Sequence, residues 1–389
     1  MFLYALPPAE TRLSLRALAR GIFPGKHDFT GKLTRLLNAD SCVLANSVRS
    51  LLYLVFQELK KKVDPGQNQV LIPGYTCYSV PAAAVKAGLK VSLYDLNPNT
   101  FQPDLADLRQ KISSSTLAVI GQHLLGVPSD IKALAGIAGH NGICCIEDAA
   151  QMLVGADEKR SRAGDADYTV YSFGRGKPLP LGQGGAMISP RSNNLEPIAR
   201  QIAPLNNSNG KSLMPAAVRI LSWPGLYWSL EKLPLGLGRT IYDPGFQVAG
   251  MSLAYQCLGD SALDDLDRLN RHRIHIAKVY NKAFGADTDA EGITVPPVRY
   301  PLLVDQQEKA YKLARYGIRR FYPQALCDLK DLKPELADPT ITTPGARKIA
   351  NTLVTLPTHL GISENIAQKI SNHVKKLFTQ ISTISGLSA

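Results

Sequence analysis

A chain of 389 residues with 45 % hydrophobic and 20 % charged residues is too apolar for disorder and too long for one small core. Its 44 Lys and Arg outnumber its 32 Asp and Glu, and the formal charge of +12 favours anionic partners: phosphorylated or nucleotide-linked small molecules, an acidic membrane surface, or nucleic acid. The basic residues are scattered and no zinc-finger, RNP1-like or basic-zipper pattern occurs, so no nucleic-acid partner is expected.

The first 23 residues are apolar and basic, but an early acid and prolines spoil a signal-peptide reading. No run of about 18 uncharged apolar residues is present, which argues against a membrane-spanning helix. The cysteines (Cys42, Cys77, Cys144, Cys145, Cys257 and Cys327) form no CxxC and no Cys/His cluster with ligand spacing. Free thiols in a reducing, cytoplasmic setting are expected, with no metal.

From Ala39 to Ser189 strand-like and helix-like segments alternate. "SCVLA" reads as a strand, "SVRSLLYLVFQELKKK" as a helix with a basic end, "QVLIP" as a strand, and "YSVPAAAVKAG" as a helix starting near Pro81 and stopping at Gly88. "KVSLYDL", "TLAVIGQHL", "ICCIEDA", "YTVYSF" and "GAMIS" are further strands, with helices at "DLADLRQKI" and "DIKALAGIAGHNG". This alternation predicts an α/β fold with a largely parallel sheet, buried on both faces, whose ligands sit beyond the carboxyl ends of the strands. The pattern loosens over 204–250, an apolar insert holding Trp223 and Trp228, and turns helical again from Met251 as a long helix or helix pair. An amphipathic helix at "ENIAQKISNHVKKLFTQI" closes the chain. The expected division is a large domain over 1–250, insert included, and a smaller C-terminal α+β domain over 251–389.

Three features fall at successive strand ends. In "LANS", Asn46-Ser47 opens a helix whose free N–H groups can hold a phosphate, although, taken alone, an N-capping serine is the better account of Ser47. In "CIEDAAQ", Glu147 and Asp148 end a very apolar strand, where a carboxylate needs a partner. Asp148 could hold a protonated ring nitrogen, or merely cap the next helix. Lys177 follows 29 residues later in "YSFGRGKPLPLGQGG" (177 − 148 = 29). A surface lysine is the competing reading, but Gly174, Gly176, Gly182, Gly184 and Gly185 allow the backbone unusual turns and a close approach to a ligand. A partly desolvated lysine can lose its proton and form a Schiff base. The GxxxxGK[ST] spacing of a phosphate-binding loop is absent. An anion cradle, a carboxylate and a reactive lysine together point to pyridoxal 5'-phosphate, PLP.

The segments "CIEDAAQ" and "GDADYTVYSFGRGKPLPLGQGGAM" resemble the DegT/DnrJ/EryC1/StrS family of sugar aminotransferases. The similarity extends to "VLIPGYTCYSVPAAAVKAGLKVSLYDLNPNTF", "GQHLLGVPSDI", "MSLAYQCLGDSALDDLDRLNRHRIHIAKVYNKAF", "YGIRRFYP" and "TLPTHLGISENI", from about residue 35 to the end. The resemblance implies a fold-type-I, PLP-dependent aminotransferase. It further implies an amino-acid donor, glutamate foremost, a keto substrate most plausibly on a nucleotide sugar, a place in polysaccharide biosynthesis, and a homodimer with active sites at the interface. Residue by residue, it assigns Lys177 to the cofactor lysine, Asp148 to the pyridinium partner, Gln151 to the neighbour of the phenolic oxygen and Ser172 to the phosphate. The family's dehydratase branch has histidine at the lysine position, so lysine implies transamination.

The chain also departs from the family. Val48 and Arg49 stand where its "NSGTAAL" motif has Gly-Thr; Arg49 either makes a charge-assisted phosphate contact or points to solvent. Cys77 stands where an aromatic ring often stacks on the cofactor, with Tyr78 beside it. "VAGM", Val248 to Met251, replaces the "NYRM" whose Asn reaches the partner subunit's phosphate. These changes leave two alternatives open: an aminotransferase acting on a non-sugar carbonyl, and a non-catalytic regulatory or membrane-surface protein reusing the fold. The insert around Trp223 and Trp228 reads as core or dimer cover, with contact to an acidic membrane or a lipid-linked substrate as the second reading. His123 is expected to be a satisfied histidine at a strand end, and the charges of "LDDLDRLNRHR" one solvated helix face.

Overall fold

The computed structural model describes residues 6–9, 13–154, 165–189, 193–202, 241–285, 293–385 and 387. Two helices not anticipated from the sequence, α1 (Leu15–Ile22) and α2 (Phe29–Leu37), precede the first strand. The alternation then runs β1 (Ser41–Ala45), α3 (Val48–Lys60), β2 (Gln69–Pro73), α4 (Ser79–Lys86), β3 (Lys90–Tyr94), α5 (Leu105–Lys111), β4 (Thr116–Gln122), α6 (Ile131–His140), β5 (Cys144–Asp148), β6 (Tyr168–Ser172), β7 (Gly185–Ser189) and α7 (Glu196–Arg200). Side chains cap the helices where the sequence supplies them: Ser47 accepts from the Ser50 N–H, Asp104 from those of Ala106 and Asp107, and Asp130 from that of Ala133. Helix α4 begins two residues before Pro81.

The seven strands form one sheet in the order 1-7-6-5-4-2-3. Strands β6, β5, β4, β2 and β3 are parallel, whereas β7 lies antiparallel to both β1 and β6. Six strands therefore end at one edge of the sheet, and β7 begins there. All residues of β4 and β7 are buried, as a sheet covered on both faces requires. Helix α3 covers one face, while α2 and α8 (Leu253–Ala262) bring Phe29, Leu33 and Leu258 onto the other, with Phe29 and Phe173 rings 5.3 Å apart.

The expected long helix or helix pair after Met251 is a pair. A single 3-10 turn, Leu263–Asp265, separates α8 from α9 (Leu266–Phe284). A second, antiparallel sheet follows in the order 11-8-10-9, built from β8 (Arg299–Val304), β9 (Arg319–Arg320), β10 (Leu353–Pro357) and β11 (Ile381–Thr383). Helices α10 (Pro344–Thr352) and α11 (Glu364–Leu377) complete this part. Asp95, just past β3, ties it to the first sheet: its two carboxylate oxygens accept the Gly345 and Ala346 N–H groups at 2.8 Å each, satisfying the free N-terminal donors of α10.

One glycine at the working edge is required by space. A Cβ on Gly185 would stand 2.8 Å from the Val48 amide nitrogen and 3.0 Å from the Ser47 carbonyl carbon, both backbone atoms that cannot swing away. Gly185→Ala is expected to cost about 1–3 kcal/mol by overpacking. It would also displace the Ser47 turn, read as a lowered melting temperature of the apoprotein together with weakened binding of inorganic phosphate or PLP.

Candidate active site

The shared strand edge gathers most of the residues singled out from the sequence. Ser47 follows β1, Cys77 follows β2, His123 follows β4, Asp148 closes β5 and Ser172 closes β6. Register brings the last two close: Asp148 pairs with Val170, two residues before Ser172, and Ser172 pairs with Gly185, the glycine pressed against the Ser47–Val48 turn.

Asp148 is buried and accepts the Ala150 N–H at 2.9 Å within a turn; no helix follows β5 directly, so the expected helix-capping role is corrected. Burial pushes its carboxyl above the ordinary range, and the nearby Lys177 charge opposes that shift. Its neighbour Glu147 has separate partners. Ser129 donates its N–H to His123 Nδ1 at 3.0 Å, so that nitrogen carries no proton; the proton sits on Nε2 and is donated to Glu147 Oε1 at 2.7 Å. The Thr169 hydroxyl donates to the other Glu147 oxygen at 2.7 Å. His123 is thus a satisfied histidine, and of the two adjacent carboxylates Asp148 is the one beside the lysine.

Lys177 lies in a loop whose Gly176, Gly182 and Gly184 all have positive φ (70°, 107° and 103°), a backbone path closed to most side chains. The side chains of Ser172 and Lys177 flank Gly174: a Cβ there would sit 3.6 Å from Ser172 Oγ and 3.7 Å from Lys177 Cγ. The Gly174 N–H donates to Ser172 Oγ at 3.4 Å.

Arg273 anchors this loop, and here the expected solvated helix face is corrected. Asp267, Arg268 and Arg271 are exposed, but Arg273 is 6 % exposed, because position 273 falls on the buried stripe of α9 with Leu266, Leu269, Ile276 and Tyr280. It donates to the Lys177 carbonyl at 3.3 Å and to Asn270 Oδ1 at 2.9 Å; Asn270 in turn donates to the Leu153 carbonyl. Burial lowers its titration to about 10, which leaves it charged at neutral pH.

The departures from the family pattern each have a location. Val48 is buried at the start of α3. Arg49 lies 4.9 Å over the Phe246 ring and 3.8 Å from the Asp243 carboxylate. Cys77 accepts a hydrogen bond from the Ser79 hydroxyl at 3.0 Å. Tyr78 points its hydroxyl at the Gln324 backbone, where it both donates and accepts at 3.2 Å. The "VAGM" segment lies along the end of β1: Asn46 donates to the Ala249 and Gln247 carbonyls, and Ala45 bridges to Gly250. Trp223 and Trp228 lie outside the described residues.

Gln151 accepts the Leu125 N–H at 2.7 Å and donates to the Tyr322 hydroxyl at 2.8 Å. Tyr322 comes from "RRFYP", after β9, and was not anticipated as a site residue. Among the described residues no group of His, Cys, Asp and Glu could hold a metal ion, and no helix is long and apolar enough to cross a membrane.

A mostly parallel α/β sheet carries a buried carboxylate at its carboxyl edge and a lysine in the adjoining glycine-rich loop, an arrangement suited to the PLP-dependent aminotransferase class. The model of the DegT/DnrJ/EryC1/StrS aminotransferase family matches residues 18–375, and the chain belongs to that family. It is 25 % identical over 281 residues to dTDP-4-dehydro-2,3,6-trideoxy-D-glucose 4-aminotransferase of Saccharopolyspora spinosa, covering 71 % of this chain and 67 % of that protein. Over 182 residues it is 31 % identical to UDP-2-acetamido-2-deoxy-3-oxo-D-glucuronate aminotransferase of Pseudomonas aeruginosa, covering 46 % of this chain and 49 % of that one. The matched stretches thus span from about half to two thirds of these relatives. The fold is shared with a Streptococcus pneumoniae sugar aminotransferase solved in its PLP form, at a TM-score of 0.73 and 19 % identity, with 96 % of this chain and 98 % of that chain covered.

Proposed function

We propose that this chain binds PLP at the carboxyl edge of the seven-stranded sheet and moves an amino group from an amino acid, glutamate foremost, to the keto group of a nucleotide-linked sugar. The observation that carries this reading is Asp148: a buried carboxylate beside Lys177, at a strand end that faces a glycine-rich loop.

The groups at the edge fit the cofactor chemically. Asp148 is a carboxyl group already desolvated, and a protonated ring nitrogen would compensate its charge. Ser47, Ser172 and the amino end of the 13-residue α3 supply hydroxyl and N–H donors suited to a phosphate. Lys177 is the covalent anchor, and Gln151 holds a donor for the phenolic oxygen. When bound, PLP draws electrons out of the substrate's α-carbon bond. Lys177 would hold the cofactor covalently, and its amine, when free, would move the proton at the substrate carbon. Asp148 keeps the ring nitrogen protonated, and Arg273 holds the Lys177 loop through its carbonyl.

Relatives named for dTDP- and UDP-linked keto-sugars support the acceptor class, and the surplus of basic residues suits a diphosphate. Arg49 keeps its guanidinium on Asp243 and Phe246, so under this reading the α3 N–H groups and the two serines carry the phosphate. The working assembly is a homodimer in the cytoplasm, the large cofactor-binding domain spanning 1–250 and the smaller one 251–389.

The test is a spectrum of the purified protein. An absorbance band at the visible edge is expected, lost on adding glutamate and restored by a dTDP- or UDP-linked 4-keto or 3-keto sugar. Restoration by simple keto acids alone would move the acceptor to non-sugar carbonyls. A protein that carries no PLP and binds none on titration would leave the non-catalytic reading in its place.

A further inference from the structure

Tyr322 and Gln151 lie 171 residues apart, yet their side chains meet in a buried hydrogen bond whose direction can be derived. The Leu125 N–H can only donate, so the Gln151 atom it meets at 2.7 Å is the amide oxygen. The amide nitrogen therefore faces Tyr322, and the Tyr322 hydroxyl at 2.8 Å is the acceptor. Its own proton takes no part in that bond, and no acceptor for it lies within hydrogen-bond distance among the described residues. A buried O–H that donates to nothing is costly unless a ligand supplies the acceptor.

The ring is held in place from behind. Tyr75 accepts the Tyr322 N–H at 2.9 Å and donates to the Tyr322 carbonyl at 3.2 Å, while Gln122 donates to the Tyr75 carbonyl at 2.6 Å. The Tyr75 and Tyr322 rings are 5.3 Å apart. Burial pushes the Tyr322 phenol well above its ordinary range, with Cys77 and Asp148 adding to the shift, so the hydroxyl stays protonated at neutral pH and lies near both residues.

We propose that Tyr322 is a positioning residue of the cofactor site: it fixes the Gln151 amide, and the pair presents an N–H and an O–H to an anionic oxygen of the ligand. This rests on the PLP reading above, in which that oxygen is the cofactor's phenolate. It also makes the segment after β9 part of the site, so that the site is complete only when the second sheet's part is docked on the first.

The experiment loads PLP onto wild type, Tyr322→Phe, Gln151→Leu and the double variant, and reads the pH midpoint of the visible-edge band. Donors aimed at an anionic oxygen stabilise its charged form, so losing one raises the midpoint. The expected shift is about one pH unit for each single variant, since one hydrogen bond to a charged group corresponds to roughly that. The double variant is expected to shift further than either single one but by less than their sum, because each group donates to the oxygen and also holds the other. Apoprotein melting should fall only modestly in Tyr322→Phe, which keeps the ring and its packing but removes the acceptor of the Gln151 amide together with the unpaired O–H. Unchanged midpoints, or shifts that add in the double variant, would overturn the proposal while leaving the PLP reading intact. A wild type with no band would overturn both.

Discussion

Lys177→Ala is expected to remove the visible-edge absorbance band and to lower amine transfer by more than about 10³-fold. General acid–base work by one positioned side chain is worth roughly 10²–10⁴-fold, and this variant loses the covalent anchor as well. The fold should survive, because the structural contacts of residue 177 are made by its backbone. Its N–H donates to the Gly174 carbonyl at 3.3 Å and its carbonyl accepts from Arg273. Alanine keeps both. The apoprotein is therefore expected to stay folded, melting somewhat below the wild type only because Lys177 no longer offsets the buried Asp148 carboxylate, which separates a chemical loss from a structural one. Lys177→Arg sharpens the point: it retains a positive charge near Asp148 but has no amine able to condense with a carbonyl, so it should be as inactive as the alanine variant. A Lys177→Ala protein that keeps the band and its turnover would sink the assignment.

The strands around this lysine were legible because a sheet covered on both faces needs near-continuous apolar runs, and "LAVI", "CCI" and "AMI" meet that need. The neighbourhood of Asp148 and Lys177 was legible for a topological reason. Parallel strands joined in sequence put their carboxyl ends on one edge, so residues 29 apart (177 − 148) return to the same place. Helices α1 and α2 were not anticipated, since the alternation was read only from Ala39 onward. Arg273 was hidden in a run of charges, although the helical period offered a signal. Positions 266, 269, 273, 276 and 280 lie on one face, and four of those five are apolar or aromatic. Tyr322 had no local signal. Its partners Gln151 and Tyr75 lie 171 and 247 residues away, and nothing in "RRFYP" distinguishes a site tyrosine from a core one. The departures at Arg49 and Tyr78 resolved only once their partners, Asp243 and the Gln324 backbone, were in place.

Asp148→Asn is expected to separate binding from stability. Asparagine has nearly the same shape and can still accept the Ala150 N–H, but it carries no charge for a ring nitrogen. Truncating one partner of a buried charge pair costs about 3–5 kcal/mol. Amine transfer should therefore fall by roughly 10²–10⁴-fold, with PLP bound more weakly. The apoprotein should respond in the opposite sense. Burial raises the Asp148 carboxyl above its unfolded value, so below the ordinary carboxylate range the group is protonated in both states and costs nothing. As pH rises through the raised folded value, the unfolded chain releases the proton more readily, and stability is lost. Above that value the wild-type apoprotein bears the cost, offset in part by Lys177, and the asparagine variant does not. Melting curves of the two apoproteins should converge below about pH 3 and diverge toward pH 8 in favour of Asp148→Asn. Adding PLP should reverse the order, because the cofactor's cation compensates the carboxylate only in the wild type. A variant that is less stable than the wild type at every pH would show that Asp148 is held for the fold, and the charge would then have no reason to sit where it does.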